Sequence, residues 1–132
     1  MGTSLDLPVK ILVVDDDESI RAIYKHVLSR EGYEVHTALD GIEAVAKTSA
    51  ILPNLIILDL IMPEQEGIET LLQLHSKHPD IPVVTISGAI GASEYLHVSS
   101  LLGASVTLQK PIRPETLVQT VRHVLRDAVK AE

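Results

Sequence analysis

The chain is 132 residues long, enough for one domain with a sizeable core. Its 18 acidic and 11 basic residues give a net charge of −7, which argues against direct binding to nucleic acid. It has no cysteine, which excludes disulfides and thiolate metal sites and favours a cytoplasmic location. No apolar stretch approaches the ~20 residues of a membrane span, so a membrane partner is not expected.

The first predicted strand, residues 9–14, ends in an acidic turn. Its residues are mostly β-branched and apolar, which is typical of a strand buried on both faces of a sheet. Four consecutive acids, DDDE at 15–18, follow directly. Apolar residues then recur at helical spacing over 18–31, and Gly32 is placed to end that helix. The chain therefore begins with a strand, an acidic turn and a helix.

The alternation of strand and helix continues along the chain. Further strands are predicted at 34–38, 54–58, 81–86 and 105–109. Further helices are predicted at 42–49, after Gly67, at 91–102 and from Pro114 to Ala128. Five strands alternating with five helices through short loops predict an α/β fold, a doubly wound parallel sheet with helices on both faces.

Several polar residues are assigned structural roles. Asp17 and Ser19 fit the N-terminus of a helix better than a ligand set, and Asp40 fits a helix cap. The six histidines show no spacing with acids that is typical of a metal site, so we expect structural roles for them. These residues are therefore set apart from the candidate site.

A second set of polar residues follows the ends of the predicted strands, and these residues are the candidate site. Asp15 and Asp16 follow the first strand, Asp59 the third, Ser87 the fourth and Lys110 the fifth. Because a parallel sheet gathers the carboxyl ends of its strands at one rim, these side chains should meet there. Three close carboxylates need a cation, and hard oxygen ligands suit Mg²⁺. A lysine and a hydroxyl beside that ion suit an incoming phosphoryl group.

Four segments, taken in their order along the chain, resemble the receiver domain of two-component response regulators. They are ILVVDD at 11–16, LIILDLIMP at 55–63 with Gly67, PVVTISGA at 82–89, and Lys110-Pro111. The resemblance implies a flavodoxin-like sheet with strand order 2-1-3-4-5. It also implies a receiver domain over residues 9–128, with 1–8 as a disordered leader and 129–132 as a C-terminal tail. Both a stand-alone regulator and a module of a longer protein stay open.

The resemblance also implies a role for each rim residue. Asp15 and Asp16 match the acidic pair that holds Mg²⁺, with Asp59 and the backbone carbonyl of Ile61 as the other protein ligands. Asp59 matches the phosphoacceptor, a carboxylate nucleophile.

The phosphoryl group itself would meet two other residues. Lys110 matches the lysine that contacts the phosphoryl oxygens, and Ser87 matches the switch hydroxyl. In the family the bond before Pro111 is cis, which would aim Lys110.

The function implied is a signalling switch rather than an enzyme. The phosphoryl donor would be the phosphohistidine of a histidine kinase or of a phosphotransfer protein. Phosphorylation would change the surface formed by the fourth helix, the fifth strand and the last helix, and so control a partner or an output domain whose identity the sequence does not carry.

The sequence departs from the family pattern at several positions. Thr107 stands where a tyrosine or phenylalanine usually couples to the switch hydroxyl, and Ile112 replaces the aromatic residue common after the Lys-Pro pair. Ile61 and Ala89, each two residues beyond a site residue, are apolar and cannot orient a water molecule. We therefore expect slow self-dephosphorylation.

Two other functions stay open. Asp15-x-Asp17-x-Ser19 after a strand resembles the first motif of aspartate-nucleophile phosphatases of the haloacid dehalogenase type, which would use Asp15 as the nucleophile. The short chain and the lack of a second acidic pair after a later strand weigh against that function. Thr107 suggests a receiver fold used as a scaffold that does not depend on phosphorylation, although the intact acids, Ser87 and Lys110 weigh against it.

Overall fold

A computed structural model of the chain describes residues 7–60, 66–88, 97 and 100–130. Its centre is a parallel sheet of five strands in the order β2-β1-β3-β4-β5. The strands are β1 Lys10–Val14, β2 Glu34–Ala38, β3 Leu55–Asp59, β4 Val83–Ser87 and β5 Val106–Gln109. The predicted doubly wound sheet and its strand order are confirmed.

Four helices have both ends defined in this part of the chain. They are α1 Glu18–Ser29, α2 Gly41–Ile51, α3 Glu66–Lys77 and α4 Pro114–Lys130. The caps of the first two are as predicted: Asp17 accepts from the backbone N–H groups of Ser19 and Ile20, and Asp40 accepts from that of Glu43. These carboxylates satisfy N–H groups that have no partner within the helix.

The two faces of the sheet bury separate hydrophobic clusters. Alternate side chains of a strand point to opposite faces, so Ile11 and Val13 of β1 join one cluster while Leu12 and Val14 join the other. The first cluster contains residues of α1 and α4, including Leu28 and Val121; the second contains residues of α2 and α3, among them Ala44, Leu71 and Leu74. Helices therefore cover both faces, as an all-parallel sheet requires.

Helix α3 approaches the end of β3 so closely that only glycine fits at Gly67. A Cβ atom placed on Gly67 would stand 2.4 Å from the carbonyl oxygen of Leu60 and 2.5 Å from its Cα. Leu60 is fully buried. The absence of a side chain at Gly67 therefore sets the approach of α3 to the rim of the sheet.

Some boundaries differ from the prediction. Strands β3 and β4 each extend one residue further than predicted, and β4 begins at Val83 rather than at residue 81. Pro82 has no N–H for the ladder, although its carbonyl oxygen accepts from the N–H of Ile56. Helix α2 continues to Ile51 and ends at Leu52, which adopts a left-handed conformation with φ 53°. The strand shifts make Asp59 and Ser87 the last residues of their strands.

Other predictions lie wholly or partly beyond the described residues. Of the helix predicted at 91–102, the structure describes only His97 and 100–102, with His97, Ser100 and Leu101 in helical conformation. Of the leader 1–8, it describes residues 7 and 8, and the tail is described only to residue 130. Within the described ranges no helix is both long and apolar enough to cross a membrane.

Candidate functional site

The rim at the carboxyl ends of the strands gathers the predicted site residues. Asp15 follows β1, Asp59 and Ser87 end β3 and β4, and Lys110 follows β5. The backbone ladder holds them in register, because the N–H of Asp15 donates to the carbonyl oxygen of Ala38 and that of Lys110 donates to Ser87. The structure thus places these four residues on four adjacent strands at one end of the sheet.

Three carboxylates converge at this rim. One oxygen from each of Asp15, Asp16 and Asp59 lies within 4.8 Å of the other two. Asp15 and Asp59 are buried, with 2% and 5% of their surfaces exposed, whereas Asp16 faces solvent. The N–H of Asp17 donates to Asp15 Oδ1 over 2.9 Å and so orients that carboxylate.

This donor set fits a divalent cation that prefers oxygen ligands. Buried carboxylates this close repel one another unless positive charge lies beside them. Three oxygen donors with an open side suit Mg²⁺, which keeps several of its waters and accepts one or two carboxylates with phosphate oxygens. The residues present therefore fit the predicted magnesium site. The fourth predicted ligand, the carbonyl of Ile61, lies outside the described residues.

Lys110 supplies positive charge next to two of these carboxylates. Its Nζ lies 3.3 Å from Asp15 Oδ2 and 3.5 Å from Asp59 Oδ2, and its side chain is about one quarter exposed. Burial of the ammonium opposes protonation, but the carboxylates of Asp59 and Asp15 hold the pKa of Lys110 above its ordinary value. The lysine is therefore a fixed cation at neutral pH. The bond to Pro111 is cis, as predicted.

Ser87 presents a buried hydroxyl to the same rim. The residue is fully buried, and no described residue offers its Oγ a hydrogen-bond partner. Such an atom carries a desolvation cost that a bound oxygen ligand would offset. The hydroxyl lies at the same rim as the acids and the lysine. Its lack of a partner among the described residues fits a hydrogen-bond donor to a bound ligand.

We expect Ser87→Ala to raise the free energy of unfolding by about 1 kcal/mol, because it removes a buried hydroxyl without a protein partner. Urea unfolding followed by circular dichroism measures the change. The matched control is Thr48→Val, since the Thr48 hydroxyl is also buried but donates to the carbonyl oxygen of Ala44 over 2.7 Å. That variant should lose stability by about 1 kcal/mol. A loss in Ser87→Ala equal to that of the control would show that the hydroxyl has a structural partner.

Two residues of α1 reach the site although the sequence analysis did not select them. Arg21 donates from Nη1 to the backbone carbonyl oxygen of Asp15 over 2.7 Å, which ties the acidic turn to the helix. Tyr24 is buried in the core. Burial raises its pKa, the charge of Lys110 opposes that rise, and the carboxylates of Asp15 and Asp59 add to it. Helical spacing marked Tyr24 only as an apolar position. Its hydroxyl, among aliphatic neighbours, was the one sequence signal that this side chain could reach the site.

The remaining residues of interest are spread over the structure. Ala89 lies outside the described residues. Thr107 is half-buried on β5 opposite Thr85 of β4, so a small side chain occupies the usual aromatic position. Ile112 packs against the cluster that contains α1 and α4. Among the described residues, the only group of three acids or histidines close enough to share an ion is the one at the rim.

Comparison with known proteins agrees with this geometry. Residues 11–122 match the family model of the response regulator receiver domain. Response regulator MprA of Mycobacterium sp. (strain KMS) is 38% identical over 121 residues, covering 91% of this chain and 52% of that protein. Alkaline phosphatase synthesis transcriptional regulatory protein PhoP of Bacillus subtilis (strain 168) is 39% identical over 118 residues, covering 89% of this chain and 48% of PhoP. The chain thus spans about half the length of these relatives.

A solved structure extends the agreement to the whole fold. The CheY-like response regulator receiver domain protein from Methanospirillum hungatei JF-1 superposes with a TM-score of 0.89 at 33% identity. The match covers 96% of this chain and 100% of that one. Together with the family model, it shows that this chain belongs to the family of response regulator receiver domains.

Proposed function

We propose that Asp59 of this chain accepts a phosphoryl group from the phosphohistidine of a histidine kinase or of a histidine phosphotransfer protein, in the cytoplasm. The observation that carries the proposal is the meeting of Asp59 with Asp15, Asp16, Lys110 and the Ser87 hydroxyl at one rim. A buried carboxylate between a cation site and a fixed ammonium fits a nucleophile in phosphoryl transfer.

The proposed transfer needs little covalent chemistry from the protein. A carboxylate oxygen of Asp59 forms a bond to phosphorus while the bond from phosphorus to the donor's imidazole nitrogen breaks. That nitrogen keeps the electron pair and takes up a proton, and Asp59 becomes an acyl phosphate. Mg²⁺ held by Asp15, Asp16, Asp59 and the carbonyl of Ile61 would neutralise charge on the phosphoryl oxygens.

Lys110 and Ser87 then hold the group that has been transferred. The ammonium already lies 3.5 Å from Asp59 Oδ2, close enough to contact an added phosphoryl oxygen. The Ser87 hydroxyl, which has no partner among the described residues, can donate to another. Almost two added negative charges at the rim would draw Ser87 toward the site. This movement would change the surface formed by β5, α4 and the helix predicted at 91–102, and so control a partner or an output domain.

The experiment that tests the proposal is intact mass spectrometry after incubation with acetyl phosphate. We expect the wild-type chain to gain one phosphoryl group when Mg²⁺ is present and none when the metal is chelated. Asp59→Ala should gain nothing, because the nucleophile is gone. The matched control is Asp80→Ala, which removes an exposed aspartate that precedes β4, at the opposite end of the sheet from the rim.

Each other outcome points to a different function. No mass gain in the wild-type chain would contradict the proposal and favour a scaffold that does not depend on phosphorylation. A transient gain that survives Asp59→Ala but disappears in Asp15→Ala would move the nucleophile to Asp15 and favour the phosphatase.

We expect the acyl phosphate on Asp59 to be long-lived, with a half-life well beyond seconds. Ile61 and Ala89 have apolar side chains that cannot orient a water molecule for attack on phosphorus. Decay of the phosphorylated mass after removal of acetyl phosphate measures the half-life. A half-life of seconds would overturn this prediction, and a shorter half-life in Ala89→Glu than in wild type would support its physical basis.

A further inference from the structure

Asp15 and Asp16 share one peptide group, and Arg21 contacts that group from α1. The carbonyl oxygen of Asp15 and the N–H of Asp16 belong to the same planar unit, so holding the oxygen constrains the plane from which both side chains start. Arg21 Nη1 donates to this oxygen over 2.7 Å, and the contact is partly buried. The group that constrains the acidic pair thus comes from a side chain six positions after Asp15.

The other polar groups of Asp15 are bonded to other parts of the rim. Its N–H donates to the carbonyl oxygen of Ala38 on β2 over 3.2 Å. Its Oδ1 accepts from the N–H of Asp17 over 2.9 Å, and its Oδ2 lies 3.3 Å from Nζ of Lys110. The carbonyl oxygen is the remaining polar group, and Arg21 bonds to it. The backbone of Asp15 is therefore held by β2 on one side and by α1 on the other.

A cation at position 21 is not favoured by the helix that carries it. The N–H of Arg21 donates to the carbonyl oxygen of Asp17 over 3.0 Å, which places Arg21 at the N-terminal end of α1. The helix dipole favours negative side chains at this end and disfavours positive ones. A charged donor also forms a stronger hydrogen bond than a neutral one. The bond to the acidic turn therefore offsets an unfavourable position in the helix.

We propose that Arg21 is a positioning residue for the magnesium site: it sets the peptide plane between Asp15 and Asp16 and thereby the affinity of the rim for Mg²⁺. The proposal rests on the magnesium site of the proposed function. It adds a residue that acts on the predicted metal ligands through the backbone. Hydrogen-bond partners of metal ligands typically contribute ~10- to 100-fold to metal affinity, and we expect the lower value for a partner of the backbone.

The charge of Arg21 and its hydrogen bond would act on Mg²⁺ in opposite directions. A guanidinium beside the rim repels a divalent cation, so removal of its charge alone would tighten binding. Removal of the hydrogen bond frees the acidic turn, which must then be ordered when the ion binds, and this weakens binding. The sign of the change in the dissociation constant therefore distinguishes the two effects.

The test uses Arg21→Ala and Arg21→Gln, because the stem of glutamine is too short to bring its amide to the carbonyl oxygen of Asp15. The matched control is Arg30→Ala, which removes the same charge from the exposed C-terminal end of α1. The first readout is the dissociation constant of Mg²⁺, measured by isothermal titration calorimetry. The second is the exchange rate of the Asp17 amide hydrogen without metal, measured by NMR, because this amide donates to the Asp15 carboxylate.

We expect both Arg21 variants to weaken Mg²⁺ binding by ~10-fold. The Asp17 amide should exchange several-fold faster in both, because the turn that carries its acceptor is no longer tied to α1. Arg30→Ala should change neither readout. An unchanged or tighter dissociation constant in either Arg21 variant would overturn the proposal, and so would weaker binding with unchanged exchange at Asp17.

Failure of folding and failure of the proposed function are both distinguishable from failure of this inference. Urea unfolding shows whether each variant is folded, and Arg21→Gln, which keeps a polar side chain, serves as the test if Arg21→Ala does not fold. A wild-type chain that does not bind Mg²⁺ would contradict the magnesium site of the proposed function. The Asp17 amide, measured without metal, would still decide whether Arg21 holds the acidic turn, since equal exchange in wild type and variants would overturn that role.

Discussion

Lys110→Ala is expected to slow phosphorylation of Asp59 by acetyl phosphate by ~10²–10³-fold, the usual effect of removing one fixed donor from a site where charge is transferred. The ammonium lies 3.3 Å from Asp15 and 3.5 Å from Asp59, so it can stabilise charge on the group that is transferred to Asp59. The nucleophile itself stays in place. The rate of mass gain at saturating Mg²⁺ measures the effect.

The control for this prediction is Lys77→Ala, which removes an exposed lysine from the last turn of α3. It changes the net charge by the same amount at the opposite end of the sheet, so it should leave the rate unchanged. A rate for Lys110→Ala within about threefold of wild type would show that the ammonium contributes little to the transition state.

Gly67→Ala is expected to lower the free energy of unfolding by about 2–3 kcal/mol, the upper part of the range for overpacked interiors. Two effects of opposite sign compete at this position. Alanine favours a helix over glycine by about 1 kcal/mol, but the added Cβ would stand 2.4 Å from the carbonyl oxygen of the buried Leu60. Backbone atoms at the end of a buried strand cannot move aside as a flexible side chain can, so the overlap should dominate.

Urea unfolding of Gly67→Ala measures the net result of the two effects, with Glu69→Ala as the control. Glu69 is an exposed residue of the same helix, where alanine should change stability by no more than ~0.5 kcal/mol. A gain in stability in Gly67→Ala would mean that α3 can shift away from Leu60 at little cost.

The fold could be predicted because its strands are short apolar runs separated by clear helical spacing. The ends of those elements were harder to place. Pro53 indicates that α2 ends by Leu52, but nothing in the sequence indicates the left-handed conformation of Leu52, which favours glycine or asparagine over leucine. Asp59 and Ser87 looked like residues after their strands because they are polar, yet both are buried and still within the ladder.

The acids, the hydroxyl and the lysine of the site could be predicted because each marks the end of a strand. Contacts that depend on how side chains pack could not. Arg21 reaches the carbonyl oxygen of Asp15 by folding back along α1, and the side chain of Lys110 lies against Gly88. Glycine in a loop reads as a turn residue, and no local pattern distinguishes one that makes room for a side chain from the next strand.

The different burial of the strands has a consequence for local unfolding. All five residues of β3 are buried and β3 pairs on both sides, whereas β5 is an edge strand of four residues, none of them fully buried. Amide hydrogens of β3 should therefore exchange only when the whole domain opens, and those of β5 through smaller fluctuations. Asp59 sits on a fully buried inner strand, and Lys110 follows the least buried strand of the sheet. The lysine can thus leave and return to the rim while the strand that carries the nucleophile stays folded.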